Sequence, residues 1–307
     1  LAVRRDGKKR NGAVADETHA TIAEALSATN LNVMSSLTYL PDRGVLEIAG
    51  PDRINFLQGL VSNDVTAVKP GALVWAAFLT PQGKWLADFF IGTDGERLLL
   101  DAERAQIPLL LQKLGRYRLR AQVALRDASE EWAVHAAWGG TPDAPEGVRI
   151  AADPRLDEAG WRLYARAPLP GSTSFEAWDR HRLALGLPDG SRDLEAEKTV
   201  LLEAGFDELN GISWSKGCYL GQELTARTKY RGLVKRRLVP VLVTGELPEP
   251  GTPVMAEEKQ VGEMRSGQPG IGLALLRIEA FGQALRCGPA ELRTAVPRWM
   301  RLAAAQA

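Results

Sequence analysis

Hydrophobic and polar positions alternate along Gly44-Val-Leu-Glu-Ile-Ala49, the pattern of a half-buried strand. The Gly50-Pro51-Asp52 turn then leads into Ile54, Phe56, Leu57, Leu60 and Val61 at helical spacing, with Asp52 as the expected cap. Trp75–Leu79 and Trp85–Ile91 flank Pro81-Gln82-Gly83-Lys84, whose proline and glycine are hairpin punctuation. Arg97–Leu100 follows the Thr93-Asp94-Gly95 turn, so an antiparallel meander is expected. Glu103–Leu114 reads as a helix broken at Gly115, followed by a strand around Arg118–Leu125. A Pro/Gly/Asp-rich link, Gly139–Gly147, separates the strands Trp132–Ala137 and Trp161–Ala165, and a helix is expected over Phe175–Leu185. After Arg237, Leu238–Val243, Val254, Val261–Met264 and Ile271–Leu276 follow as short strands around the Pro248-Glu249-Pro250-Gly251 turn, which describes a small β-barrel. Helices and antiparallel strands segregate, so the fold class is α+β. The expected organisation is a loosely ordered extension over 1–30 with a short helix at Thr21–Leu26, α+β lobes over 31–236, and a barrel over 237–307.

The chain has 307 residues, about twice the ~150-residue domain prior, and its 45% hydrophobic and 25% charged composition is that of an ordinary globular protein. Lys+Arg and Asp+Glu both count 38, so any basic site must be local. No apolar run approaches the roughly 20 residues of a membrane span, and no apolar segment follows the basic stretch Arg4–Arg10 as a secretory signal would require. The start at Leu1 reads as a processed or trimmed end. Cys218 and Cys287 are the only thiols, too few for a disulfide scaffold or for a cluster held by four thiolates of one chain. A reducing compartment, the cytoplasm, is expected.

One of those thiols carries the candidate chemistry. In Lys216-Gly-Cys218-Tyr219-Leu-Gly-Gln222-Glu223, Cys218 sits between Gly217 and Gly221, beside Lys216, with Arg227 downstream. A helix opening over Gly221–Arg227 would aim amide dipoles at the sulfur, and with the ammonium would favour a reactive thiolate. Plain packing of a small buried thiol is the alternative. The histidines at 19, 135 and 181 are scattered, and Cys218 has no metal-binding partner at ligand spacing. Arg227, Lys229, Arg231, Lys235, Arg236 and Arg237 form a basic run, echoed by Lys113, Arg116, Arg118 and Arg120 around Tyr117. Both suit a polyanion such as RNA or the glutamate tail of a folate, or are solvated faces.

The octapeptide closely resembles the K-G-C-Y-x-G-Q-E signature of the YgfZ family, bacterial folate-binding proteins related to mitochondrial iron-sulfur assembly factors. Phe56-Leu57-Gln58-Gly59 with Asn63-Asp64-Val65, Pro81–Lys84 with Asp88, and Arg182 followed by Gly186-Leu187-Pro188 extend the match over about residues 33 to 280. The resemblance implies the fold of the glycine-cleavage T-protein: two lobes and a C-terminal barrel around a central folate channel. It also implies Trp178 as the ring that stacks on the pterin, with Arg182, Tyr219, Gln222, Glu223 and Arg227 as further cofactor contacts. Cys218, Lys216 and Asp88 are the candidates for chemistry. Arg162 stands where aminomethyltransferases carry a pterin-recognising glutamate, and Arg182-Leu-Ala-Leu-Gly186 lacks the carboxylate of the T-protein pattern.

Three functions compete. The first is a tetrahydrofolate-binding accessory factor for iron-sulfur assembly or repair, serving assembly proteins and client enzymes including tRNA-modifying ones. Cys218 would be its transient cluster ligand or reactive thiol, because one thiolate cannot hold a cluster alone. The second is a one-carbon transferase with Asp88 as proton acceptor. The third is a tRNA-binding module using the basic runs.

Overall fold

The computed structural model describes residues 35–232 and 234–302. The expected extension over 1–30 and its helix lie outside them. Among the described residues, fifteen strands form three sheets, all with antiparallel pairing. The first carries β2 (Arg43–Ala49), β3 (Val74–Leu79), β4 (Trp85–Thr93), β5 (Leu98–Glu103) and β6 (Ala124–Asp127) in the order β3-β4-β5-β2-β6. The second joins β1 (Ser36–Tyr39), β7 (Ala133–Trp138), β8 (Arg149–Ala152) and β9 (Trp161–Ala165) as β1-β7-β9-β8.

The α-helices among the described residues are α1 (Arg53–Gln58), α2 (Ile107–Tyr117), α3 (Phe175–Leu185) and α4 (Gln222–Tyr230). Helix α3 begins on the Ser174 hydroxyl, which accepts from the Ala177 amide. It ends at Gly186, whose left-handed φ of 73° lets its amide reach the last-turn carbonyls. Helix α2 buries Ile107, Leu110 and Leu114 against the first sheet, with Phe78, Phe89 and Ile91 in the same cluster. Each such side chain contributes roughly 1.5–3 kcal/mol of burial. The opposite face of that sheet presents Trp75, Trp85 and Phe90 to a cluster shared with α3 and with Leu238, Ile271 and Leu273 of the barrel. Val45 and Leu99 meet Val134, Ala136, Trp138 and Trp178 in a third cluster between the two sheets.

The barrel closes in the order β10-β13-β12-β11-β14-β15 through β10 (Arg236–Thr244), β11 (Pro253–Ala256), β12 (Lys259–Gln268), β13 (Ile271–Arg277), β14 (Leu285–Cys287) and β15 (Ala290–Thr294). It is docked on the lobes: Trp299 Nε1 donates to the Leu185 carbonyl at 2.7 Å, and Arg180 reaches the Pro269 carbonyl at 2.7 Å.

Several local expectations are corrected. Gly115 does not break its helix, which runs to Tyr117 after a 3-10 turn at Arg104–Gln106. The segment after it is a loop, and strand β6 begins only at Ala124, because the Asp52 carboxylate accepts the Gln122 amide at 2.7 Å instead of capping α1.

Candidate functional site

Two centres emerge, one at the thiol and one between the sheets. Cys218 is exposed on the segment that precedes α4. Gly221 adopts φ +78° and lies against the β3–β4 turn so closely that a Cβ on Gly83 would stand 2.6 Å from the Gly221 carbonyl oxygen. Two glycines are therefore required where these turns touch. Tyr219 is buried, its phenol pushed up to about 12 by that burial, and its amide donates to Gln222 Oε1 at 3.2 Å. Glu223 and Arg227 pair with each other one turn apart on the exposed face of α4.

The activation expected of Lys216 is corrected. Its ammonium donates to the backbone carbonyls of Gln58 at 2.8 Å, Val61 at 2.7 Å and Asn63 at 2.7 Å. All three N–H donors are thus committed to the turn after α1 rather than to the thiol. Burial lowers its pKa to about 8 against the opposing pull of Asp64. Helix α4 starts at Gln222, four residues beyond Cys218, so the sulfur does not sit on its first turn. The sequence signal for Lys216 was its place beside the thiol; what it does is staple the thiol segment to residues 58–63.

The second centre is a cavity of about 380 Å³ lined by Asp88 and Phe90 of β4, Arg43, Arg162, Phe175, Trp178, Arg182 and the Pro188–Arg192 turn, among others. Asp88, Trp178 and Arg182 come together here, whereas Cys218, Lys216, Tyr219, Gln222, Glu223 and Arg227 do not line it. Both Asp88 oxygens accept indole N–H donors, from Trp75 at 2.9 Å and Trp85 at 3.1 Å. Burial nonetheless holds its pKa above the ordinary carboxylate range.

Charge on the walls is paired. Asp101 receives Arg43 at 2.6 Å, Arg162 at 2.8 Å and the Tyr164 hydroxyl at 3.1 Å, while Asp153 is gripped by both ends of the Arg155 fork at 3.0 and 2.8 Å. Arg162 also lies 3.6 Å from the Phe90 ring centroid, and Arg155 lies 4.9 Å from it. Arg182, fully buried, bonds Asp179 at 2.8 Å, Asp193 at 2.5 Å and Ser266 Oγ of the barrel at 2.6 Å. Burial raises the Asp189 carboxyl, but Arg182 and Arg192 outweigh it and hold the group well below its usual range. Arg43 and Asp101 carry no local signal as site residues, since the partners of Asp101 lie 58 and 61 positions away.

The downstream basic run is largely neutralised. Arg227 pairs with Glu223, Lys229 with Asp207, Arg236 with Glu203 at 3.1 Å and Arg237 with Glu208 at 2.8 Å. A linear reading saw no carboxylate in that stretch because three of the four partners come from residues 203–208. Lys113, Arg116, Arg118 and Arg120 form no ion pair among the described residues, which also contain no group of three His, Cys, Asp or Glu able to hold a metal ion. None of the described helices is long and apolar enough to cross a membrane.

Residues 235–302 match the family model described as the CAF17 C-terminal beta-barrel domain. The aminomethyltransferase T of the glycine cleavage system from Bartonella henselae superposes with a TM-score of 0.66 over 91% of this chain and 89% of that one. At 13% identity this shows a shared T-protein-like fold. The mitochondrial iron-sulfur cluster assembly factor IBA57 of Homo sapiens is 32% identical over 302 residues, covering 85% of this chain and 84% of that protein. The IBA57 homolog of Mycosarcoma maydis is 32% identical over 316 residues, covering 85% and 78%. Sustained identity along both lobes and barrel, on a T-protein-like fold, establishes that the chain belongs to the family of the iron-sulfur cluster assembly factor IBA57.

Proposed function

We propose that this protein is an accessory factor for the assembly or repair of iron-sulfur clusters, in which Cys218 supplies a single sulfur to a cluster held jointly with a partner. The observation that carries this reading is the exposure of a lone thiol on a segment fixed by Lys216, Gly83 and Gly221. Four-thiolate coordination demands sulfurs from elsewhere, so the cluster is cargo shared between chains. The names of the relatives support the pathway. Client enzymes include those that modify tRNA, and a reducing compartment, the cytoplasm, accords with two unbridged cysteines.

The cavity is the site proposed for a folate, as in the YgfZ family that the signature resembles. Its residues fit that class in part: Trp178, Phe90 and Phe175 offer aromatic surface, and Arg104 and Arg192 stand partly exposed on its wall, though a glutamate tail would have to share them with Glu130 and with Asp179 and Asp189. Trp178→Ala is expected to weaken tetrahydrofolate binding at least tenfold, about 1.4 kcal/mol, in a fluorescence titration. An unchanged affinity removes Trp178 from the site.

A one-carbon transferase is the second reading, since Asp88 with its raised pKa lines the cavity. Two indole donors already occupy its oxygens, and Arg162 puts a cation where the pterin needs a carboxylate. Both features argue for binding without turnover. The deciding experiment is the activity of an iron-sulfur tRNA-methylthiolating enzyme in cells lacking this protein. Wild type should restore it and Cys218→Ala, at matched expression, should not. Full rescue by Cys218→Ala defeats the role given to the thiol, and rescue lost only in Asp88→Asn moves the assignment to one-carbon transfer.

A further inference from the structure

The corner after α2 is built against its own backbone preference. A tight turn closes from the Ala121 amide to the Arg118 carbonyl at 2.7 Å, and its first central residue, Leu119, has φ +43°. That position favours glycine or asparagine; a leucine there is strained, and only burial of its side chain would offset the strain within the fold. Leu119 is 88% exposed, so nothing among the described residues covers it.

Around it stand Arg116, Arg118 and Arg120, all exposed, and the half-buried Lys113. None forms an ion pair among the described residues. Four of the six cations at 227–237, by contrast, each have a carboxylate. Beside the corner, between α2 and the β3–β4 turn, opens a hollow of about 430 Å³. It is walled by Phe78, Leu86 and Tyr117 and edged by Lys84 and Lys113, with Glu197 as its carboxylate.

We propose that this corner is a docking surface for an acidic protein segment, whose carboxylates meet Arg116, Arg118 and Arg120 and whose apolar residue covers Leu119. Strain retained at an exposed apolar residue within unpaired like charge is accounted for when a partner completes both. An acidic peptide fits better than RNA. Single-stranded RNA wants exposed aromatic faces, and Tyr117, the ring at hand, is half-buried with its edge-on partner Phe78 at 6.2 Å. The hollow and the thiol segment share the β3–β4 turn, since Thr80, Pro81 and Lys84 line the hollow and Gly83 and Thr80 pack on Gly221, three residues after Cys218. The proposal does not depend on the chemistry of Cys218.

The test uses the full chain and a fluorescein-labelled, glutamate-rich peptide carrying leucines, read by anisotropy. The same peptide with serines for leucines and a single-stranded RNA of similar length serve as comparison arms. Wild type should bind the leucine-bearing peptide with an affinity that falls as salt rises. Arg116→Ser/Arg118→Ser/Arg120→Ser should weaken it by about tenfold or more. Leu119→Gly, which keeps the left-handed turn, should weaken it by about threefold or more and bind the two peptides equally. Neither variant loses a contact that holds the fold, so melting temperature should be unchanged in the first and unchanged or raised in the second. Indifference of peptide binding to either variant overturns the proposal. So does equal binding of both peptides by wild type, or tighter binding of RNA that the triple variant abolishes, which makes the corner a nucleic-acid site.

Discussion

Lys216 and Cys218 stand two residues apart and do different work. The ammonium closes the turn after α1 by giving each of its protons to a carbonyl, so replacing it leaves three acceptors without a partner at once. Lys216→Met should therefore cost roughly 2 kcal/mol in a urea titration, within the range for hydrogen bonds to a charged group. Cys218→Ala should fall within about 0.5 kcal/mol of wild type, as exposed positions do. Equal losses in the two variants would mean that the thiol, too, is structural. The contrast matters for the rescue experiment, because a loss of function in Cys218→Ala can then be read as chemistry rather than unfolding.

At the scale of elements, α3 is the piece most exposed to disruption, because its arginine ties three regions together. Arg182 holds Asp179 on its own helix, Asp193 on the turn that lines the cavity, and Ser266 on the barrel. Arg182→Met keeps the volume but leaves buried Asp193 without its cation, while Asp179 keeps Arg192, and we predict a loss of about 3–5 kcal/mol by chemical denaturation. A loss under about 1 kcal/mol would show that water replaces the guanidinium.

Two histidines contribute to acid sensitivity. His135, fully buried, accepts the Leu169 amide on Nε2 at 2.9 Å, and His181 packs against both Trp138 and Trp178. Burial pushes both imidazoles below the ordinary histidine range. In that range the unfolded chain takes up protons that the folded chain refuses, so stability should fall as pH drops from about 7 toward the depressed folded values. His135→Gln retains an acceptor without the titration and should make that slope shallower. An unchanged slope assigns the acid sensitivity to other groups.

The same elements show what was legible. Helix α3 is found to the residue because a serine cap, an apolar stripe and a terminal glycine are local signals. The meander and first barrel strands are found because turns punctuate them. Strands β1, β8, β14 and β15 are three to five residues long and too short to establish a period, so their pairing comes from the sheet that receives them. The signature around Cys218 is legible as a string. The Asp101 cluster is not, since Arg43 and Arg162 reach it from positions 58 and 61 residues away, and the neutralising of the basic run is not, since three of its four carboxylates come from residues 203–208.

Over the whole molecule, the barrel and the lobes are tied by more than the chain that joins them. Leu238, Ile271 and Leu273 sit in the same cluster as Trp75, Trp85 and Leu183, so removing the barrel would expose one side of the central core. Polar ties run alongside: Ser266 donates to Asp193 at 2.5 Å and accepts from Arg182 at 2.6 Å, and Trp299 donates to the end of α3. Interfaces that are both apolar and hydrogen-bonded transmit unfolding from one part to the next. A single calorimetric transition is therefore expected, with calorimetric and van't Hoff enthalpies in agreement. Trp299 is the one of eight tryptophans that follows residue 235, so tryptophan fluorescence follows mainly the lobes while far-UV circular dichroism also follows the barrel. The two signals should cross at one midpoint. Ser266→Ala should lower that midpoint in both together, by the few degrees that about 1–2 kcal/mol amounts to in a chain of this size. Separate midpoints, with only the lobe signal responding to the substitution, would make the barrel an independent domain carried beside the cavity rather than one of the walls that shape it.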